Sequence, residues 1–431
     1  MNILIVNGSP KGENSVTLQT MLYIEKQFPG HDYRQLNASA RIKALEKDFG
    51  PARTELERAD LIVFCYPVYT FLVPSQLHRF IELIKESGVD LKGRSATQIS
   101  TSKHFYDTTA HEFIRENCED LGLNFIPGLS ADMEDLLKEK GQKEAADFFR
   151  HVLWIAQGRP ETAAKRSARV VIVADLPEGS EALKARIEAF QSVCRYPCEV
   201  VDLQEFPFAG GCLGCFHCAS DGTCVYRDGF DAFLRDHIQT ADATVYAFTI
   251  KDHSMGARFK TYDDRQFCNG HRTVTMGKPV GYLICGDLDK EPNLRQLMEA
   301  RAQVGGNYLA GVCADGNASE EEIAALAKEL SYAIEKGYQQ PANFYGVGGM
   351  KIFRDLIYQM QGLMKEDHRF YKEHGFYDDF PQKKKGTILG MYLVGAMMNN
   401  KKLSKKIGAG MTKGMLMPYK KVLDGPKKQK K

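Results

Sequence analysis

At 431 residues, with 43% hydrophobic and 26% charged side chains, the chain carries more apolar material than one ordinary core holds and too much for a disordered protein. A formal net charge of +2 gives no overall basic field, which argues against nucleic acid as a partner. The opening MNILIVNGSP has no basic leader, and its apolar run is shorter than a signal core or a membrane span, so the cytoplasm is the expected compartment. In that compartment the 11 cysteines are expected as thiols or metal ligands rather than disulfides.

The run NILIV (2–6), the turn-rich NGSPKGENS and the helically spaced VTLQTMLYIEKQF predict strand, loop and helix. ADLIVFCYPVY (59–69) predicts a second buried strand, SQLHRFIELIKES (75–87) a helix, and RSATQISTS (94–102) a further strand. Strands alternating with helices predict a parallel sheet covered on both faces.

From Arg169 the plan repeats as RVVIVADLPEGSEALKARIEAF, CEVVDL, ADATVYAFTIK and GKPVGYLICGD. Asn2 answers to Arg169 and Ala59 to Ala241, so the second copy contains extra residues, which fall between VVDL and ADATVYAF. The polar QGRPETAAKRS (157–167) marks the boundary between copies, giving expected segments of 1–156, 168–340 and 341–431.

In NGSPKGENSVT (7–17), Gly8 and Gly12 permit unusual backbone angles, while Ser9, Asn14, Ser15 and Thr17 offer polar groups before a helix N-terminus. Many α/β proteins turn this way with nothing bound, so the loop alone leaves phosphate binding open. Pro67, Val68, Tyr69 and Thr70 follow the third predicted strand, where they can form a wall against a flat ring.

Together the GSP and PVY segments resemble the flavodoxin-like NAD(P)H-dependent FMN reductases, over residues 1 to about 135. The resemblance implies FMN with its phosphate on Ser9, Asn14 and Ser15, joined by Lys11 and Thr17. It places the flavin ring against Pro67, Val68, Tyr69 and Thr70, with the loop STSKHF that begins at Ser100 as a further contact. It also implies NAD(P)H as electron donor. The second copy departs from the pattern: ADLPEGSEAL brings Asp175, Glu178 and Glu181, which repel a phosphate, and AFTIKDHS replaces the PVY segment.

CLGCFHCASDGTC (212–224) places four cysteines at Cys-x2-Cys-x2-Cys-x5-Cys inside the insertion. Such spacing can wrap thiolates around one centre, and the readings are an iron–sulfur cluster, a zinc site, or a loop without metal. The last gap and the missing proline separate it from a bacterial ferredoxin run. Within this fold it resembles the iron-sulfur flavoproteins, and that likeness implies a 4Fe-4S cluster on Cys212, Cys215, Cys218 and Cys224. His217 reads as a loop residue, and Cys194, Cys198, Cys65, Cys268, Cys285 and Cys313 as buried thiols.

Residues 383–431 contain KKK, KKLSKK and KKQKK with a single acid, Asp424. GTILGMYLVGAMMNN (386–400) lies between the first two basic groups, and is too short for a bilayer core of about 30 Å. It is expected to pack on the protein, with peripheral membrane contact as the alternative.

The expected molecule is α/β, two flavodoxin-like doubly wound parallel sheets in tandem with a helical basic extension. Its expected function is an NAD(P)H-dependent FMN oxidoreductase passing electrons to a small acceptor such as a quinone or flavin, by way of a 4Fe-4S cluster, or exchanging them with a ferredoxin. The alternatives are an FMN electron carrier that docks to a redox partner and a scaffold without cofactor. No catalytic acid or base is assigned, and the sequence does not separate NADH from NADPH.

Overall fold

A computed structural model describes residues 1–163, 167–215, 217–316, 318–378, 385–386, 389–390 and 416–425. Contacts divide the chain into two compact units, Met1–Gly158 with Phe380–Lys431, and Arg159–Asp379. The expected segment 341–431 is thus shared between them.

In the first unit the strands are β1 (Asn2–Asn7), β2 (Asp32–Leu36), β3 (Leu61–Pro67), β4 (Ser95–Ser102), β5 (Asn124–Phe125) and β6 (Leu129–Asp132). They form one parallel sheet in the order β2-β1-β3-β4-β5, with β6 also paired to β4. Successive side chains on a strand point to opposite faces, and both faces here are apolar. Leu4 and Val6 of β1 join Ile62, Phe64 and Tyr66 of β3 in one core with Leu77 and Phe80 of the helix Ser75–Ser87. Ile3 and Ile5 join Leu61, Val63 and Cys65 in the other core, with Met21 of the helix Val16–Gln27 and Phe148 and Phe149 of the helix Glu139–Ala156.

The second unit has β7 (Val170–Ala174), β8 (Cys198–Asp202), β9 (Ala243–Thr249), β10 (Pro279–Cys285) and β11 (Tyr308–Cys313). Their order is β11-β10-β9-β7-β8, the first sheet's order read from the other edge, and every pairing is parallel. The repeat extends to single hydrogen bonds. Asp60 N donates to Asn2 O at 2.9 Å, and Asp242 N to Arg169 O at 2.8 Å. Gly8 N donates to Cys65 O at 2.8 Å, and Asp175 N to Ala247 O at 3.0 Å. The register expected from Asn2 and Arg169 is therefore the register of the backbone.

The extra residues of the second copy lie in the β8-to-β9 connection, which holds a short helix His217–Asp221, a helical turn Phe230–Phe233 and a π-helical turn Leu234–Ile238. Of the extension, the helices Phe344–Gln359 and Lys365–Glu373 belong to the second unit. The helical stretch 416–423 belongs to the first, where Leu416 and Tyr419 bury against Leu136 with Val16 and Tyr23 alongside. Most of 386–400 lies outside the described residues. No described helix is long and apolar enough to cross a membrane.

Cys65, Cys268, Cys285 and Cys313 are buried as expected, whereas Cys194 and Cys198 are partly exposed. The difference arises because they bracket a surface turn that enters the edge strand β8.

Phe149 is fully buried beneath the first sheet. Phe149→Ala is expected to remove about 3–5 kcal/mol from the stability of the first unit, read as a fall in its denaturant midpoint.

Candidate functional site

Parallel strands bring the carboxyl ends of β1, β3 and β4 to one edge, so the three loops that follow them meet there. The first is held by Asn7, whose Nδ2 donates to Gly12 O and to Asn37 Oδ1, each at 2.9 Å. Its Oδ1 accepts from Ser9 N at 3.2 Å. Gly12 takes a positive φ of 56°. Gly8 is required by close approach, since a Cβ there would lie 2.5 Å from Leu77 Cδ2. Ser15 caps the helix Val16–Gln27, its Oγ accepting from Leu18 N at 3.3 Å. Thr17 Oγ1 lies 2.5 Å from Thr101 Oγ1, joining the first loop to β4.

The second loop is a tight turn. Tyr69 N donates to Leu72 O at 2.8 Å and Leu72 N to Tyr69 O at 3.1 Å, with Thr70 and Phe71 at φ of 49° and 68°. A left-handed conformation costs a non-glycine residue on the order of 1 kcal/mol or more, so the surroundings hold this turn in place. In the third loop His104 and Tyr106 have φ of 57° and 53°. This loop is braced from below by the fully buried Asp107, which accepts from Ser130 Oγ and lies 3.2 Å from His104 Nδ1. Phe71, Phe105 and Tyr106 stand exposed with ring centroids 5.4 to 5.5 Å apart.

These loops line a cavity of about 430 Å³. Its polar lining includes Ser9, Lys11, Ser15 and Thr17 at a helix N-terminus, and its apolar lining is formed by Pro67, Val68, Tyr69 and Phe71 with Phe105 and Met133. Of the residues expected from the sequence, Ser9, Lys11, Ser15, Thr17, Pro67, Val68, Tyr69 and Thr70 line it. Asn14 is exposed and does not. Ser100 is fully buried, its Oγ 2.8 Å from His111 Nε2 on the helix Asp107–Asp120, so alternation along β4 gives the cavity Thr101 instead.

Sequence reasoning did not single out Phe71, Thr101, Ser102, Lys103, Phe105 or Met133. The STSKHF loop held a signal for four of them. Met133 follows the four-residue strand β6, which has no periodic signature. The cavity's size and its mixed lining, with polar groups at a helix N-terminus beside apolar loop residues, fit a phosphorylated planar ring such as FMN.

The second unit keeps the turn and loses the cradle. Lys251 and Ser254 exchange backbone hydrogen bonds of 2.9 Å, with Asp252 and His253 at φ of 49° and 61°, which repeats the Tyr69–Leu72 turn. Asp175 stands where the first unit has Gly8. Its carboxylate is buried and accepts from Gln204 Nε2 at 2.5 Å, while Asp202 accepts from Leu176 N and Gln204 N. The first loop of the second unit thus presents acids, already held by their own donors, where the first unit presents glycine and hydroxyls.

Cys212, Cys215, Cys218 and Cys224 line a second cavity, of about 380 Å³, together with Cys268, Arg265 and His271. All are free thiols. Cys218 Sγ donates to Phe267 O at 2.8 Å, and burial raises its thiol pKa. Among the described residues no three His, Cys, Asp or Glu side chains gather as metal ligands. The four cysteines are nevertheless the donor type of a thiolate-bound centre, and they lie beside the guanidinium charge of Arg265, 1% exposed.

That charge is held by Asp228, whose two oxygens accept from the Arg265 guanidinium at 2.7 Å each, with the Tyr226 ring stacked 4.5 Å from it. His217 is absent from the lining and pairs with Asp221 at 3.4 Å.

Hydrogen bonds from Arg265 lower the Asp228 pKa to about 2. The folded value lies below the unfolded one, so the stabilisation is present above about pH 4 and is lost as pH falls towards about 2. Acid titration of stability is expected to show a loss of about 2 kcal/mol in that window. Asp228→Asn is expected to abolish the window and to destabilise the second unit by about 3 kcal/mol at neutral pH, because it leaves Arg265 buried without its counter-ion.

A family model described as flavodoxin-like fold matches residues 1–145. An iron-sulfur flavoprotein of Archaeoglobus fulgidus is 28% identical over 174 residues, covering 38% of this chain and 79% of that protein. Among solved structures, an FMN-dependent NADH-azoreductase from Bacillus anthracis in complex with FMN is similar at 15% identity and a TM-score of 0.28. The alignment covers 37% of this chain and 100% of that one. An NAD(P)H:quinone oxidoreductase from Methanothermobacter marburgensis is similar at 11% identity and a TM-score of 0.29, covering 38% and 99%. Likeness at this structural level carries no functional weight. The family match and the sheet order together make residues 1–145 a flavodoxin-like domain, in a chain whose sequence is similar to that of an iron-sulfur flavoprotein.

Proposed function

We propose that the first unit binds FMN in the loop cavity and that the protein is an NAD(P)H-dependent oxidoreductase acting on a small acceptor such as a quinone or a free flavin. The observation that carries this reading is a single cavity lined both by polar groups at a helix N-terminus and by the apolar residues of the Tyr69–Leu72 and Ser102–Phe105 loops. The sequence similarity to an iron-sulfur flavoprotein supports the same direction. On this reading Ser9, Ser15 and Thr17 present buried hydroxyls to the phosphate, and Lys11 offsets its charge. Pro67, Val68 and the Tyr69–Leu72 turn set the plane of the ring, and the exposed Phe71, Phe105 and Tyr106 shield the open side from water.

FMN, when bound, would supply the chemistry of accepting two electrons as one hydride and releasing them singly. The protein's part is to orient the donor and acceptor, so no general acid or base is assigned. Cys212, Cys215, Cys218 and Cys224 would hold a 4Fe-4S cluster in the second unit, with Arg265 as its neighbouring positive charge. A ferredoxin partner, and contact of the basic tail with a membrane surface, belong to the same proposal and rest on the sequence.

The test is the visible spectrum of anaerobically purified protein, with FMN, iron and sulfide assays, beside a Cys215→Ser, Cys218→Ser double variant. The expected result is about one FMN and about four irons per chain, with iron alone lost in the variant. Flavin without iron would remove the cluster and keep the reductase; zinc would replace the cluster with a structural site. Colourless protein after reconstitution would overturn the reading. Steady NAD(P)H oxidation with a quinone separates an enzyme from a carrier.

Gly8→Asp installs the residue that the second unit has at this position. FMN binding is expected to be lost, read as absence of flavin absorbance co-eluting with protein, while the far-ultraviolet circular dichroism is retained.

A further inference from the structure

The CRYPC turn (194–198) takes no part in either cavity, yet it brings two thiols together at the surface. Cys194 ends the helix Glu181–Val193 and Cys198 opens the edge strand β8, paired to Val170. Three residues separate them in sequence, and both sulfurs converge on Tyr196. Cys198 Sγ donates to Tyr196 O at 3.3 Å, the Cys194 sulfur is turned toward the Tyr196 backbone N–H, and the two thiols influence each other's ionisation. Arg195 and Pro197, between them, are exposed, so a small reagent can reach the turn.

The turn is also anchored. Arg195 donates to Thr162 O, and the buried Tyr196 donates to Glu335 of the helix Glu320–Lys336. The turn that carries the two cysteines is therefore held by contacts that do not depend on their sulfurs.

We propose that Cys194 and Cys198 form a dithiol site that exchanges with low-molecular-weight disulfides and closes reversibly to an intramolecular disulfide. The two thiols sit in unequal surroundings: the pair's mutual interaction favours the Cys194 thiolate and disfavours that of Cys198, whose S–H is donated to Tyr196 O. The Cys194 thiolate attacks one sulfur of the reagent disulfide, breaking its S–S bond and releasing one thiolate. Cys198, losing its proton, then attacks Cys194 Sγ, breaking the mixed disulfide and releasing the second thiolate. The protein dithiol is oxidised, the reagent is reduced to two thiols, and the two thiol protons pass to them. Closure fixes the turn that carries Arg195 and Tyr196.

The test uses the whole chain, incubated with oxidised glutathione, blocked with an alkylating reagent and digested after Arg and Glu. Cleavage after Glu188, Arg195 and Glu199 places the two cysteines on separate peptides, 189–195 and 196–199. The expected product is these peptides joined by a disulfide. It is absent without oxidant and is reversed by dithiothreitol. Alkylation of both peptides after oxidant treatment would overturn the proposal, as would Cys194 carrying only glutathione or bonded to another cysteine. The wild-type protein alone gives this answer. In a Cys198→Ser variant Cys194 is expected to stop at the mixed disulfide with glutathione, and failure to trap that species would overturn the order of attack.

Discussion

The structure depends on one constraint: each sheet must bury both faces. The alternation of β1, with Ile3 and Ile5 on one face and Leu4 and Val6 on the other, satisfies it only if helices cover both sides. Helical crossovers then force the strands to run parallel, and parallel strands deliver their loops to a common edge. The meeting of polar and apolar loops in the first cavity is therefore a product of the packing. The loops need only supply side chains, and the backbone strain at Thr70, Phe71, His104 and Tyr106 is borne by the sheet and by the Asp107 network beneath.

The second unit obeys the same constraint and shows which features are architecture and which are chemistry. It retains the strand order, the hydrogen bond at the first loop and the left-handed turn after the third strand. It replaces Gly8 by Asp175, and the glycine's role in close approach disappears with it. What the unit has instead is the β8-to-β9 connection, whose four cysteines line a cavity with the buried Arg265.

Much of this was legible in the sequence because the signals are local and periodic. The helix 75–87 is found with the expected bounds, and the repeat registers with the expected partners Asn2 and Arg169. What escaped depends on the third dimension. The orientation of Ser100 against Thr101 is a matter of which face of β4 meets the helix Asp107–Asp120, and an isolated strand does not reveal that. Met133 reaches the cavity from a strand too short to show a period. The counter-ion pair Arg265–Asp228 joins residues far apart in the chain, and neither is marked by a motif.

The place of the cysteine connection has a consequence for how such a protein can change. In the order β8-β7-β9 the chain leaving β8 passes over β7 to reach β9, and the pairings of β7 with both neighbours are complete without it. The crossover is thus a segment whose length no strand measures. Residues can be added or removed there without shifting a register, so a new ligand-bearing loop can be tried, kept or discarded while the sheet beneath remains the same.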